Sequence, residues 1–150
     1  PSRECVCSPG MVQRYLNRIS GPLLDRIDIH IEVMPVRFDR LTGSSGAERS
    51  ETIRERVIRA REIQAERFAG AEGIYSNAQM PPYMQRKYCY PGEEGGRLLR
   101  AAMEMRGLSA RAHDRILKLA RTIADLAGSE GIATGHIAEA INYRNLDRGG

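Results

Sequence analysis

Along the first third of the chain the apolar residues change period. Val12, Tyr15, Leu16 and Ile19 recur at i, i+3, i+4 and i+7, one stripe of an α-helix. Ser8 and Pro9 supply its N-cap and first helical position, and Ser20-Gly21-Pro22 interrupts it. After the apolar pair Leu23-Leu24 the period drops to two. Ile27, Ile29, Ile31 and Val33 alternate with Asp28, His30 and Glu32, which predicts a strand over 27–33 that stops at Pro35. A lone strand leaves its backbone N–H and C=O groups unpaired. No comparable strand follows, so its sheet partners are expected in sequence outside this chain.

Beyond a Gly/Ser loop at 41–49 the pattern is helical. Ser50 can cap a helix running to about Phe68, with Ile53, Val57, Ala60 and Ile63 as its inward face and Gly70 and Gly73 as its end. Residues 74–92, with Pro81-Pro82 and Pro91-Gly92, read as a linker with one helical turn near Tyr83–Lys87. A helix over 93–105 turns Leu98, Leu99, Ala102 and Met105 to one side and closes at Gly107. The strongest pattern starts at the Ser109 cap and runs to about Ala127, with Ala112, Ile116, Leu119, Ala120, Ile123 and Leu126 inward. Asp114–Lys118 and Arg121–Asp125 are spaced as i, i+4 pairs for its outer side. A last helix from Thr134 to about Arg144 carries Ile137, Ala138 and Ile141 inward. The predicted fold class is mainly α, a helical bundle preceded by a helix and one strand.

The length of 150 residues fits one domain, given ~150 residues per domain. With 41% apolar and 28% charged residues, the chain is neither disordered nor fibrous. It has no apolar run near the ~20 residues of a membrane span and no apolar segment of a signal peptide at its start. The default location is therefore cytoplasmic. The opening, without Met and with Cys5 and Cys7 two residues apart, reads as a piece of a longer chain.

The net charge of +4 raises the question of nucleic acid, and its distribution withdraws it. Five arginines face four acids across 10–40, and six basic groups face five acids across 109–148. A nucleic-acid footprint needs a stripe or patch of one sign. Aromatics at 5% also argue against a base-stacking platform.

The chain holds no G-x-x-x-x-G-K-[ST], G-x-S-x-G or H-E-x-x-H. His30, His113 and His136 are scattered and have no nearby nucleophile. Cys5-x-Cys7 is half of a zinc site, since structural zinc takes four ligands. On the residues alone, two thiols at an exposed end is the plainer reading.

Three blocks carry a resemblance. Arg14-Tyr-Leu-Asn-Arg-Ile-Ser-Gly-Pro-Leu-Leu-Asp-Arg-Ile-Asp-Ile-His-Ile-Glu-Val33, then Leu108-Ser-Ala-Arg-Ala-His-Asp-Arg-Ile-Leu-Lys-Leu-Ala-Arg-Thr-Ile-Ala-Asp-Leu126, then His136-Ile-Ala-Glu-Ala-Ile-Asn-Tyr-Arg-Asn-Leu-Asp-Arg148 follow in order. Together they resemble the ComM (YifB) family, in the magnesium-chelatase-like branch of the AAA+ ATPases. The resemblance covers nearly all of the chain except 34–74. It implies the C-terminal part of such a protein: the edge of the α/β AAA+ core over 1–40 and the helical lid over 41–150. It also implies ATP and Mg2+ as cofactors, a homo-hexameric ring, and DNA branch migration during recombination of transforming DNA. Walker A and Walker B would lie upstream, so this piece alone should be inactive. The rival readings are a helical protein- or DNA-interaction module and a magnesium-chelatase-type motor subunit.

The resemblance implies roles for specific residues. Arg26 matches the arginine finger, acting across a subunit boundary; such fingers are worth a ~10³–10⁵ rate factor in other NTPases. Only arginine offers a planar, permanently charged fork for that task. The plainer reading is a salt bridge from Arg26 to Asp25 or Asp28. Arg111 matches the sensor-2 position, which contacts ATP phosphate, and Arg115 is the alternative one turn on. A cation in a first helical turn opposes the helix dipole at ~0.3–1 kcal/mol, which a phosphate would offset. The plainer reading of Arg111 is a solvated face beside Asp114. Cys5 and Cys7 match the second half of a four-thiolate zinc knuckle, expected to be empty without the first half. His113 departs from the family, where Tyr is more usual.

Overall fold

The computed structural model describes residues 6–34 and 48–144. Cys5, most of the loop expected at 41–49 and the expected boundary at 40/41 lie outside the described residues. Among those described, the chain is mainly α, with seven α-helices, one 3₁₀ turn and no strand. None of the helices is long and apolar enough to cross a membrane.

Pro9 opens α1 (Pro9–Leu16) after Ser8, and Pro22 lies in the single turn α2 (Gly21–Leu24). No residue of α1 is buried; Val12, Tyr15 and Leu16 keep their stripe exposed. Leu24, at the end of α2, is buried.

The strand expected over 27–33 does not form. No described neighbour offers it a ladder; instead the His30 N–H donates to the Tyr143 carbonyl at 2.7 Å. The alternation is not expressed: within 27–33 only His30 is buried, while Ile31 and Val33 are 67% and 85% exposed. A side chain packs where a surface exists to receive it, and here that surface lies under His30 alone.

Helix α3 (Ser50–Arg67) has Arg49, not Ser50, in the capping position. Of its expected inward face Ala60 is buried, together with Gln64, while Ile53 and Val57 are exposed. Only its second half reaches the bundle. Phe68 then inserts into the core, and the chain turns through Gly70 and Gly73, whose φ values of 82° and 76° suit glycine.

The segment read as a linker is more ordered than its prolines suggested. It holds a 3₁₀ turn (Asn77–Gln79) and α4 (Pro82–Tyr88), with Pro82 in a first-turn position that needs no N–H. Helix α5 (Gly92–Arg106) ends on left-handed Gly107, and α6 (Ala110–Leu126) follows directly. The last helix is α7 (Thr134–Asn142).

Helix α6 is the axis of the bundle. Ile116, Leu117, Ala120, Ile123 and Ala124 share one core with Leu99 and Ala102 of α5 and with Ile137, Ala140 and Ile141 of α7, the helix that lies against both. Phe68, Met80, Cys89 and Ile132 fill the remaining space. At Gly95 of α5 a Cβ would stand 3.2 Å from Ile137, so the absence of a side chain sets the close approach of α5 and α7.

A charged knot lies inside this apolar frame. Arg67 donates to both oxygens of Asp125 at 2.5 and 2.7 Å, and to Asn77 Oδ1 at 2.8 Å. Asn77 donates to Asp125 at 2.7 Å, and its N–H is taken by Gln64 Oε1. Arg121 binds Asp125 at 3.0 Å and caps the carbonyls of Ser129 and Glu130. The Arg121–Asp125 pair, expected on the outer side, is therefore buried. A buried carboxylate is tolerable only when its lone pairs are filled, and here several donors fill them.

Candidate functional site

The site is built on the N-terminal half of α6. Ser109 caps the helix, its Oγ accepting from Ala112 N–H at 3.1 Å. The same hydroxyl donates to Asp25 Oδ1 at 2.7 Å, and Arg111 Nε stands 4.0 Å from the other Asp25 oxygen. Asp25 thus supplies the negative charge that a cation in this first turn requires. One turn on, Arg115 pairs with Asp28. The two acids flanking Arg26 both reach across to α6.

Arg111, Arg115, Lys118 and Thr122 recur at i, i+4, i+7 and i+11, a single helical face. With Asp28, Ile29, Ala78, Asp114 and Leu119 they line a cleft of about 410 Å³. Lys118 donates to the Ala78 and Met80 carbonyls at 3.1 and 2.7 Å, holding the 3₁₀ segment against α6. Asp114 accepts from Gln85 and is in contact with His113, so the expected Asp114–Lys118 pair gives way to longer-range partners.

Arg26 is exposed and donates to the Pro22 carbonyl at 2.7 Å, closing its own turn. It is not part of the cleft lining, whereas Arg111 and Arg115 share that cleft.

Sequence reasoning missed Arg144. This arginine is fully buried, donates to the Ile27 carbonyl at 2.8 Å and stands 3.7 Å from Asp25. It ties the end of α7 to the turn that carries Asp25 and Arg26. A signal was present: Arg144 follows Ile137 and Ile141 at i+7 and i+3, continuing the inward stripe two residues past the end of the helix.

Residues 47–144 match the family described as Magnesium chelatase, subunit ChlI C-terminal, and residues 1–41 match Magnesium chelatase, subunit ChlI. The chain belongs to the magnesium chelatase ChlI C-terminal family. This family member is 45% identical over 143 residues to the competence protein ComM of Haemophilus influenzae, covering 94% of this chain and 27% of ComM. It is 40% identical over 144 residues to protein YifB of Escherichia coli K12, covering 95% of this chain and 27% of YifB. A Mycobacterium tuberculosis protein is 34% identical over 143 residues, with 95% of this chain and 28% of that protein covered. The ChlI-family chain therefore spans about a quarter of the length of these curated relatives.

The cysteines of this family member occupy different settings. Cys7 is exposed, and among the described residues no three His, Cys, Asp or Glu side chains gather into a metal site. Cys89 is buried beside Phe68 and Met80 in the core, and burial pushes its thiol up to about 11.

Proposed function

We propose that this chain is the C-terminal part of a ComM-type AAA+ ATPase, with the edge of the core over 1–40 and the helical lid over 41–150. The observation that carries the reading is the cationic face of α6, where Arg111 and Arg115 enter one cleft beside Lys118 at a helix N-terminus. Such a face suits a polyphosphate: fixed guanidinium forks match phosphate oxygens, and the helix dipole adds to their field. ATP with Mg2+ is the group proposed there, and it supplies the phosphoryl group to be transferred. Arg111 and Arg115 would hold its phosphates.

Arg26 has a different task. Exposed on the turn after α2 and outside the cleft, it is proposed to act on the nucleotide of a neighbouring subunit. There its guanidinium would stabilise charge developing on the transferred phosphoryl group. A homo-hexameric ring is the assembly that such action in trans favours, and DNA is its proposed substrate. Similarity to a competence protein supports that last point. A zinc knuckle involving Cys5 and Cys7 belongs to the same proposal.

The test places Arg26→Ala and Arg111→Ala in the complete ATPase. Arg26→Ala should lower ATP turnover by roughly 10³-fold with nucleotide binding retained. Arg111→Ala should weaken nucleotide binding as well. ATP turnover at wild-type rates in both variants would sink the reading.

A further inference from the structure

The carboxylates that occupy α6 stand on the segment that carries Arg26. Asp25 receives Ser109 and faces Arg111, and Asp28 is paired with Arg115. Arg111 and Arg115 are the cations that line the cleft most directly at the helix start. They are partly exposed, with side chains 50% and 29% accessible, so an incoming anion can reach them. The segment is also held by buried Leu24, by buried His30 with its N–H on Tyr143, and by Arg144, which donates to Ile27 and stands 3.7 Å from Asp25. Of its remaining apolar side chains Ile31 and Val33 are largely exposed and add little hold, and Ile27 and Ile29 are only partly covered.

We propose that Asp25 and Asp28 form an anionic latch that competes with a polyphosphate for Arg111 and Arg115, so that polyphosphate binding loosens residues 21–34 from the helical body. This rests on the reading of the α6 cleft as a phosphate site and adds its regulation. A guanidinium satisfied by a carboxylate has its geometry and charge matched; a triphosphate offers the same match with more charge. Neither arginine can serve both partners fully, so binding at the cleft and docking of the segment oppose each other. By linkage, docking weakens phosphate binding by the same factor as bound phosphate weakens docking. The turn bearing Arg26 would then be released when the cleft fills.

The test uses the 150-residue chain, inorganic tripolyphosphate as probe, and hydrogen exchange at residues 21–34, with the His30 amide as the marker of docking. Tripolyphosphate should bind the wild-type chain and speed exchange across that segment, leaving α6 and α7 protected. Asp28→Asn, at a half-exposed acid where folding is not at risk, should bind it more tightly. Asp25→Asn/Asp28→Asn should gain roughly tenfold in affinity and show fast exchange at His30 without any anion. Tripolyphosphate binding that leaves exchange at 21–34 unchanged would overturn the latch while the phosphate site stands. The latch also fails if both variants bind the anion no more tightly than wild type. If neither the wild type nor either variant binds tripolyphosphate, the phosphate-site reading fails, and the competition fails with it.

Discussion

Arg67, the last residue of α3, and Asp125, in the last turn of α6, meet in a two-pronged ion pair across 58 positions of sequence. The pair is buried, and Asn77 and Arg121 bind the same carboxylate. It joins three parts of the chain: the end of α3, the 3₁₀ turn and the end of α6. The ion pair fixes where α3 sits, because both Arg67 oxygen contacts are lost if that helix slides by one residue.

Asp125→Ala should therefore be among the most damaging single changes. It strands two buried guanidinium groups, and breaking a buried pair in this way costs about 3–5 kcal/mol. Asn77→Ala removes three side-chain hydrogen bonds, to Arg67, Asp125 and Thr122, but leaves the ion pairs in place, and should cost about 1–3 kcal/mol. Urea midpoints of the two variants check the order.

Cys89 gives the fold a pH dependence at the alkaline end. Burial raises its thiol from 9.0 to about 11, so between those values the folded chain holds a proton that the unfolded chain has released. Stability from this group is full below pH 9 and declines as pH rises towards about 11. The contribution is at most about 3 kcal/mol. Cys89→Ala should flatten that part of the stability curve, measured by denaturant unfolding from pH 8 to 11. In the native chain at pH 8, Cys89 should also resist alkylation that Cys7 accepts, because Cys7 is exposed.

Ser109 serves the helix start and Asp25 at once. Ser109→Ala removes the cap to Ala112 and should cost about 0.5–2 kcal/mol, read as a lower thermal midpoint. Ser109→Asp keeps a cap acceptor but places a second carboxylate against Asp25. It should restore less stability than an Asp cap gives on an ordinary helix.

Gly107 ends α5 at φ 61°, where a Cβ crowds the following carbonyl. Gly107→Ala should cost roughly 1–2 kcal/mol, and Gly107→Asn less, since Asn tolerates that conformation better. Thermal unfolding of both variants separates the strain from any loss of packing.

The local grammar of this chain was readable to the extent that local forces decide it. Gly70, Gly73 and Gly107 stand in the sequence as stops, and each takes a positive φ; Ser109 stands as a cap, and it caps. Most of the core face of α6 follows from its period for the same reason, though Leu126, expected inward, is exposed. What periodicity cannot tell is which surface receives a face. Ile53 and Val57 mark an apolar side of α3 that no described residue covers, and the alternation at 27–33 is buried through His30 instead of its isoleucines. Charged residues were harder still. Arg121 and Asp125 have the spacing of a surface pair, and only Arg67, far away in sequence, reveals that the pair is internal. Likewise Asp25 and Asp28 sit beside Arg26 in sequence but answer to Arg111 and Arg115 in space.

Arg144 and Ile27 are 117 positions apart, and their bond makes nearly the full length of the chain a single closed loop. Helical bundles fold fast because their contacts are local, and this closure is the opposite kind of contact. The α3–α7 body can assemble from near neighbours, leaving the seam to residues 24–30 to form late. Interactions made after the rate-limiting step act on unfolding and not on folding. Weakening the seam should therefore shorten the lifetime of the closed chain while the speed of its assembly stays the same.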